Sequence, residues 1–237
     1  MNAIRVVRPG MFGGACLAAL LEATARTSSP VVGLPTGNTP GALYECLRGA
    51  AERGEADISG WRPFAIDEYG GPRGHPCSNR AYFARYWDTI PGAPPVEQFA
   101  PEAPDLEQEC VRMSERLVEA GGLDVALLGI GLNGHLAFNE PGSARDSTVR
   151  RVELHEQSRL SARACWGDET PRWGLTLGLR ELLAARSVIV MANGAEKAHI
   201  VGMALSSPPD PGLPASYATD GALWILDADA AAGLTLR

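Results

Sequence analysis

Short apolar segments that recur along the chain constrain its fold more than any other feature of the sequence. They lie at residues 4–7, 31–34, 64–67, 124–131, 187–194 and 222–227. Several are continuous rather than alternating in polarity, which is typical of strands covered on both faces. Patterns with helical spacing separate them, most clearly at residues 14–26 and 105–118. This alternation predicts a single α/β domain over residues 1–237, a doubly wound, mostly parallel, Rossmann-like sheet with helices on both faces.

The region 142–174 interrupts this alternation. It contains many charged residues and no clear strand. Long segments without regular structure are uncommon in compact domains unless they have a function. We therefore interpret residues 142–174 as a candidate mobile flap.

Charge and composition exclude several classes of function. The net charge is −7 and no cluster of Lys or Arg is present, so binding to nucleic acid or to a membrane surface is not predicted. No apolar run is long enough to span a membrane, and the N-terminal sequence MNAIRVVRPG lacks the apolar stretch of a signal peptide. We therefore expect a cytoplasmic protein.

The cysteines are few and widely spaced. The five are Cys16, Cys46, Cys77, Cys110 and Cys165. Their odd number, their spacing and the lack of a CxxC motif argue against a disulfide framework and against a zinc site. We expect reduced thiols and no metal site.

Polar or glycine-rich segments follow four of the apolar segments. PTGNTP follows VVGL, Asp67 and Glu68 follow FAI, Asn133 and His135 follow DVALLGIG, and Lys197 follows SVIVMANG. In an open parallel sheet, ligands bind beyond the carboxyl ends of the strands. We therefore expect these four segments to meet in one site.

The segment LPTGNTP, at residues 34–40, has the features of an anion-binding loop. Gly37 permits a tight turn with positive φ, Thr39 is suited to cap the next helix, and Pro40 fits a first helical position. A loop that leads into a helix N-terminus presents N–H donors to an anion. The segment lacks the Walker A and GxGxxG patterns, so nucleotide binding is not predicted. An ordinary capped turn is the alternative.

Asp67 and Glu68 form an acidic pair at the end of a predicted strand. A carboxylate that loses solvent in such a place has a raised pKa and can act as a base. The alternative is a structural acid that caps a nearby helix or pairs with Arg73.

His135 lies in the segment GIGLNGHLAFNEPG, together with Asn133, Asn139 and Glu140. A carboxylate that fixes the tautomer of an imidazole is a recurrent acid–base arrangement. No further metal ligands occur at suitable spacing, so this histidine is not predicted to bind a metal. A purely structural histidine is the alternative. Lys197 could hold an anion or could simply be solvated.

Four segments together carry a resemblance to a known family. LPTGNTP, FAIDEYGG, GIGLNGHLAFNEPG and NGAEKA resemble the glucosamine-6-phosphate deaminases over nearly the whole chain. The resemblance implies conversion of an amino-sugar phosphate, glucosamine 6-phosphate, to fructose 6-phosphate and ammonia, a step of N-acetylglucosamine catabolism, with no metal or organic cofactor. The compact length is similar to that of the short bacterial deaminases, which implies a monomer or a small homo-oligomer.

The resemblance also implies catalytic roles. Asp67 is the base that moves a proton between C2 and C1 of the sugar. His135 opens the sugar ring at the ring oxygen. Asn133 and Glu140 orient and tune this histidine, although some family members have Asp where this chain has Asn133.

A second set of residues is implied to bind the phosphate of the substrate. The set consists of Thr36, Gly37, Asn38, Thr39, Arg163 and Lys197. Arg163 is assigned by counting forward from His155, and it lies in the region 142–174. Closure of that region would bring the arginine onto the substrate.

Three other activities remain open. The substrate of a galactosamine-6-phosphate deaminase differs from glucosamine 6-phosphate at the C4 hydroxyl. No recognised motif distinguishes the two positions of this hydroxyl. A hydrolase similar to the 6-phosphogluconolactonases shares the fold and a related histidine block, but it needs no base at C2 and lacks FNEP. A non-catalytic sugar-phosphate sensor could lose the acid–base residues that this chain has.

Overall fold

The computed structural model describes residues 3–72 and 74–234. Arg73, the predicted alternative partner of Asp67, lies outside the described residues.

Nine strands form two sheets in the described chain. They are β1 (Ala3–Val7), β2 (Val31–Leu34), β3 (Arg62–Ala65), β4 (Asp67–Tyr69), β5 (Val125–Gly129), β6 (Arg150–Glu153), β7 (Trp173–Thr176), β8 (Ser187–Ala192) and β9 (Leu223–Asp227). Six of them make a parallel sheet in the order β1-β9-β8-β5-β2-β3. Each of the six apolar segments contributes to this sheet. The segment 64–67 is divided, because β3 ends at Ala65 and β4 begins at Asp67.

Helices cover both faces of the parallel sheet. They are α1 (Phe12–Thr24), α2 (Gly41–Glu52), α3 (Asn79–Tyr86), α4 (Leu106–Glu119), α5 (Glu156–Trp166), α6 (Leu179–Leu183) and α7 (Ala198–Ser206). The helices predicted at 14–26 and 105–118 correspond to α1 and α4. None of the helices in the described ranges is both long and apolar enough to cross a lipid bilayer.

Two hydrophobic cores account for the continuously apolar strands. Leu127 and Ile189 point into one core, which is closed by α1, α2 and α3. Their neighbours Leu128 and Val190 point into the other, which is closed by α4, α6 and α7. Since successive side chains alternate between faces and both faces are covered, neither face of these strands tolerates polar residues.

A smaller antiparallel sheet, in the order β4-β7-β6, lies beside the main one. The prediction of no clear strand in residues 142–174 was therefore wrong, because this region contains β6, α5 and the start of β7. β6 has the sequence RRVE and is partly exposed along its whole length. It lacks an apolar face of the kind that reveals a strand in the sequence.

The order in which the chain adds strands to the parallel sheet reverses between β2 and β5. From β2 the chain continues outward to β3, and it then returns to the other side of β2 as β5, followed by β8 and β9. Such a reversal opens a crevice at the carboxyl ends of β2 and β5, where ligands bind in sheets of this kind.

A disulfide joins Cys77 to Cys165, with the two Cα atoms 5.9 Å apart. The expectation of reduced thiols was therefore wrong for this pair, whereas Cys16, Cys46 and Cys110 are free. The two cysteines are 88 residues apart in sequence, so their spacing gave no sign of the pairing. The bridge ties the C-terminal end of α5 to the segment between β4 and α3.

Replacing Cys165 with serine is expected to lower the free energy of unfolding by about 2–4 kcal/mol, because the bridge restricts the unfolded chain across a long loop. Urea unfolding under non-reducing conditions measures the change. Cys46→Ser, which removes a thiol outside the bridge, is the matched control. Equal unfolding midpoints for Cys165→Ser and the unmodified chain would contradict a stabilising bridge.

Candidate active site

Strand order places the four polar segments side by side. β8, β5, β2 and β3 are consecutive in the sheet. Their carboxyl ends lead to Lys197, to the segment with His135, to the loop at residues 35–40, and to Asp67 at the start of β4. All four groups therefore lie along one edge, and the central two flank the crevice between β2 and β5.

The loop at residues 35–40, here called the anion loop, leads into α2. Gly37 has a φ of +98°, which favours glycine. The helix begins at Gly41 with Pro40 as its N-cap, so the prediction that Thr39 caps it was wrong. Pro40 has helical backbone angles, and its carbonyl accepts the first helical bond from Tyr44. Since no side chain in the described ranges caps this end, its N–H donors remain suited to an anion.

Asp67 is buried, with 8% of its surface exposed. The side-chain amide of Asn79 donates to its Oδ1 at 2.6 Å and to its backbone carbonyl at 3.0 Å. Burial raises the pKa of Asp67 to about 8, the neighbouring Glu68 carboxylate adds to this rise, and the bond from Asn79 opposes it. A carboxyl group with such a pKa can both take up and release a proton near neutral pH.

Glu68 has the structural role that was the alternative for the acidic pair. Its carboxylate accepts the backbone N–H groups of Tyr69, Asn79 and Arg80 at 2.8–2.9 Å. Two of these donors lie at the N-terminus of α3, so Glu68 caps that helix. The two adjacent acids thus differ: one is held at a helix end, while the other remains at the crevice edge.

His135 is held against a carboxylate and a hydroxyl. Its Nδ1 lies 3.4 Å from Oε2 of Glu140 and 3.1 Å from the hydroxyl of Ser158. The imidazole packs directly over Gly131, where a Cβ atom would come within 2.4 Å of Nδ1 and Nε2. Only glycine at position 131 leaves room for the ring in this orientation.

Glu140 remains ionised because several donors surround it. Asn133 donates its amide to Oε2 at 2.8 Å, and the backbone N–H of His155 donates to Oε1 at 3.2 Å. Burial opposes ionisation, but bonds from His135, Ser158 and Asn133 outweigh it and lower the pKa to about 2. A permanent negative charge therefore faces the imidazole.

The backbone between His135 and Glu140 is strained. Ala137 has a φ of +50°, which is rare for a residue other than glycine. Asn139 is fully buried and donates to the carbonyls of Leu136 and Leu177, each at 3.0 Å. This amide therefore stabilises the loop conformation that carries the histidine and the acid.

The smaller sheet connects Asp67 to the histidine loop. Asp67 pairs with Thr176 of β7, and the Thr176 hydroxyl accepts the backbone N–H of Phe138 at 3.2 Å. The rings of Tyr69 and Phe138 are 4.7 Å apart. The two acid–base groups thus belong to one packed unit.

Lys197 is half-buried rather than freely solvated. Its ammonium donates to the carbonyl of Ile130 at 2.7 Å, at the end of β5. Burial lowers its pKa, while Glu196 opposes the change. Lys197 is also the single lysine among the 21 basic residues of the chain, the other 20 being arginine. That the sequence has one lysine and 20 arginines is a further signal for Lys197, and the sequence-based prediction did not use it.

Arg163 lies on the exposed side of α5. Its side chain is 64% exposed, and its guanidinium lies 3.6 Å from the carboxylate of Asp168. The buried face of α5 is formed by Ser158, Ala162 and Trp166, and Arg163 is not part of it. Its role as a phosphate ligand stays a prediction.

Two further polar residues of the site were missed by sequence reasoning. Asn79 and Ser158 are 3% and 7% exposed, and they contact Asp67 and His135, respectively. Asn79 is preceded by Ser78, which caps α3. The capping serine could have revealed the start of the helix, but not that the next side chain reaches the acid. No cluster of three His, Cys, Asp or Glu residues suited to a metal ion occurs in the described ranges.

A family model for glucosamine-6-phosphate isomerases and 6-phosphogluconolactonases matches residues 12–225, which is most of the chain. The chain belongs to this family. It is 35% identical over 226 residues to a glucosamine-6-phosphate deaminase of Rhodopirellula baltica, with 92% of this chain and 90% of the relative covered. It is 38% identical over 203 residues to one of Beutenbergia cavernae, with 81% and 76% covered.

Solved structures of family members share the fold. A monomeric glucosamine-6-phosphate deaminase superposes with a TM-score of 0.93 at 26% identity, over 98% of this chain and 100% of that one. A 6-phosphogluconolactonase of Thermotoga maritima reaches 0.76 at 21% identity, over 96% and 100%. At that lower identity the likeness shows the fold alone. The predicted α/β fold class and the predicted family are confirmed.

Proposed function

We propose that this protein is a glucosamine-6-phosphate deaminase that forms fructose 6-phosphate and ammonia. One observation carries the proposal: two acid–base groups, Asp67 and the pair formed by His135 and Glu140, lie at the sheet edge that also carries the anion loop and Lys197. The pKa of Asp67 is raised to about 8, and that of Glu140, beside His135, is lowered to about 2. Opening a sugar ring and then shifting a proton between two carbons requires two such groups and an anchor for the phosphate.

His135 opens the ring in this proposal. Its Nδ1 faces Glu140 and Ser158, so Nε2 is the nitrogen left for the substrate. The Glu140 carboxylate stabilises the charge that the imidazole carries when both nitrogens are protonated. Nε2 gives its proton to the ring oxygen as the bond from that oxygen to C1 breaks, and the C1 hydroxyl loses its proton to water. The product is an open-chain aldehyde.

Asp67 then moves a proton along the open chain. Its carboxylate removes the proton from C2 and returns it to C1, while the aldehyde oxygen on C1 takes a proton from the amino group. C1 thus becomes a hydroxymethyl carbon, and a C=N double bond forms at C2. Water adds to C2, the bond from C2 to nitrogen breaks, and ammonia leaves with a ketone in its place. The raised pKa suits this role, because a base of higher pKa abstracts a carbon-bound proton more readily. His135, Asp67, water and the substrate's own amino group account for the proton transfers, so we propose no cofactor.

We further propose the setting of this reaction. Residues 1–237 act as a single domain, and residues 142–174 close over the substrate and bring Arg163 to its phosphate. We infer a monomer or small homo-oligomer because a solved deaminase with the same fold is monomeric. We infer a cytoplasmic role in N-acetylglucosamine catabolism, because a charged sugar phosphate does not cross a membrane unaided.

Lys197→Met is expected to raise KM by about 10–100-fold with little change in kcat, because a charge-assisted bond to the phosphate is lost. The aliphatic stem is retained, so packing changes little. Arg48→Met, which removes an exposed cation from α2, should leave KM within about twofold, as expected for an exposed residue outside the site. Unchanged KM in Lys197→Met would exclude this residue as the phosphate ligand.

Ammonia release and ketose phosphate formation test the proposal directly. The purified protein is incubated separately with glucosamine 6-phosphate, galactosamine 6-phosphate and 6-phosphogluconolactone. Preferred turnover of glucosamine 6-phosphate supports the proposal. Preference for galactosamine 6-phosphate would retain the mechanism and change the substrate, and hydrolysis of the lactone alone would overturn the proposal. Binding without turnover of any of the three would indicate a sensor.

A further inference from the structure

Asn79 lies between the anion loop and Asp67. Its amide nitrogen donates to Oδ1 of Asp67 at 2.6 Å, and its amide oxygen accepts the hydroxyl of Thr36 at 2.8 Å. The residue is 3% exposed. One buried side chain thus contacts the predicted base and a predicted phosphate-binding residue at the same time.

Chemistry fixes the orientation of this amide. Only its NH₂ group can donate to a carboxylate, and only its oxygen can accept from a hydroxyl. The reversed amide would place its oxygen 3.0 Å from the backbone carbonyl oxygen of Asp67, which can only accept a hydrogen bond. Its backbone is fixed as well, because the N–H of Asn79 donates to Glu68 and the preceding Ser78 caps α3.

We propose that Asn79 is a positioning residue that aims the Asp67 carboxylate and couples it to occupancy of the anion loop. This inference rests on the proposed function of the site. Thr36 has a single hydroxyl proton, which it gives to Asn79. A phosphate dianion accepts hydrogen bonds only, so the hydroxyl must turn away from Asn79 to bind it. Phosphate binding therefore alters the support of the amide that holds the base.

Within residues 3–72 and 74–234, few other ionisable groups surround Asp67. Glu68 and Tyr69 lie on its own strand, and Tyr44 faces it from α2, while Arg80 lies beside Glu68. Burial raises the pKa of both phenols well above neutral pH, so they stay uncharged. Among the residues that the structure describes, the bond from Asn79 is the contact that favours the charged form of Asp67.

Asn79→Ala is the first test, with the pH profile of kcat/KM as the readout. Loss of the amide removes a bond that favours the charged carboxylate, so the acidic limb should move to higher pH by about 1 unit. Ser78→Ala is the matched control, because it removes the cap of the same helix but no contact with Asp67. An equal shift in both variants would reduce Asn79 to a structural residue and overturn the proposal.

Thr36→Val tests the coupling. It keeps the size of the side chain and removes the hydroxyl that bonds to Asn79. The variant should move the acidic limb in the same direction by a smaller amount, and Thr36→Val combined with Asn79→Ala should move it no further than Asn79→Ala alone. Fully additive shifts would contradict coupling between the two residues.

A measurement without turnover separates this inference from the proposed function. Carbon-13 NMR of labelled aspartate carboxyls follows the titration of Asp67, which is assigned by its absence in Asp67→Asn. The Asp67 midpoint should rise in Asn79→Ala, and it should also respond to inorganic phosphate less in Asn79→Ala than in the unmodified chain. Deamination with an unmoved midpoint would overturn the inference alone. A moved midpoint without deamination would overturn the proposed function and retain the contact between Asn79 and the acid.

Discussion

Replacing Asp67 with asparagine is expected to lower kcat by about 10²–10⁴-fold, which is the usual contribution of a positioned general base. The new amide can still accept the bond from Asn79 and keeps the shape of the site, so substrate affinity should stay nearly unchanged. Steady-state kinetics with glucosamine 6-phosphate, together with calorimetric binding of a non-reactive sugar phosphate, separates the two effects. Normal turnover in this variant would exclude Asp67 as the base.

The same substitution should stabilise the fold increasingly as pH rises. The folded chain holds a proton on Asp67 up to a pKa of about 8, whereas the group has a reference value of 3.8. Between about pH 4 and pH 8 the folded state binds more protons than the unfolded state, so stability falls as pH increases. An asparagine side chain does not titrate, so the Tm advantage of Asp67→Asn should grow across this range. A constant difference in Tm would contradict the raised pKa.

Replacing His135 with glutamine is expected to lower kcat by about 10²–10⁴-fold, because ring opening loses its acid. Glutamine retains a polar group near Glu140 but cannot carry a proton between two sites. His199→Gln is the matched control, since that histidine is exposed on α7 and its replacement should leave kcat unchanged. Affinity for 2-amino-2-deoxyglucitol 6-phosphate, a linear ligand that needs no ring opening, should be the same in all three proteins. A loss of that affinity in His135→Gln would instead indicate a binding role.

The parallel sheet could be predicted because its strands are buried on both faces. Segments such as VALLG in β5 and SVIVMA in β8 are continuous in hydrophobicity, and in a chain with helices between its strands this pattern strongly favours a covered parallel sheet. The position of the site followed from the same pattern, because polar residues that end parallel strands collect at one edge.

The remaining features depend on contacts that no local pattern encodes. β6 is charged and partly exposed, so it becomes a strand through pairing with β7 rather than through its own composition. The contact between Ser158 and His135 spans 23 residues, and that between Asn79 and Thr36 spans 43. Such pairs are determined by tertiary packing. The N-cap of α2 differed because the carbonyl of Pro40 accepts the first helical hydrogen bond, from Tyr44, and no side chain among the described residues caps this end.

Because Lys197 is the one lysine of the sequence, reagents that react with amines can label the protein at a single side chain. In a chain of 237 residues, its ammonium is the one side-chain amine. Pyridoxal 5′-phosphate carries an aldehyde and a phosphate, so it would form a Schiff base with this lysine at the place proposed to bind phosphate. Borohydride reduction would make the adduct permanent. Apart from the α-amino group, Lys197 would be the single site of labelling. A fluorescent reporter could therefore be attached beside the crevice without altering the sequence.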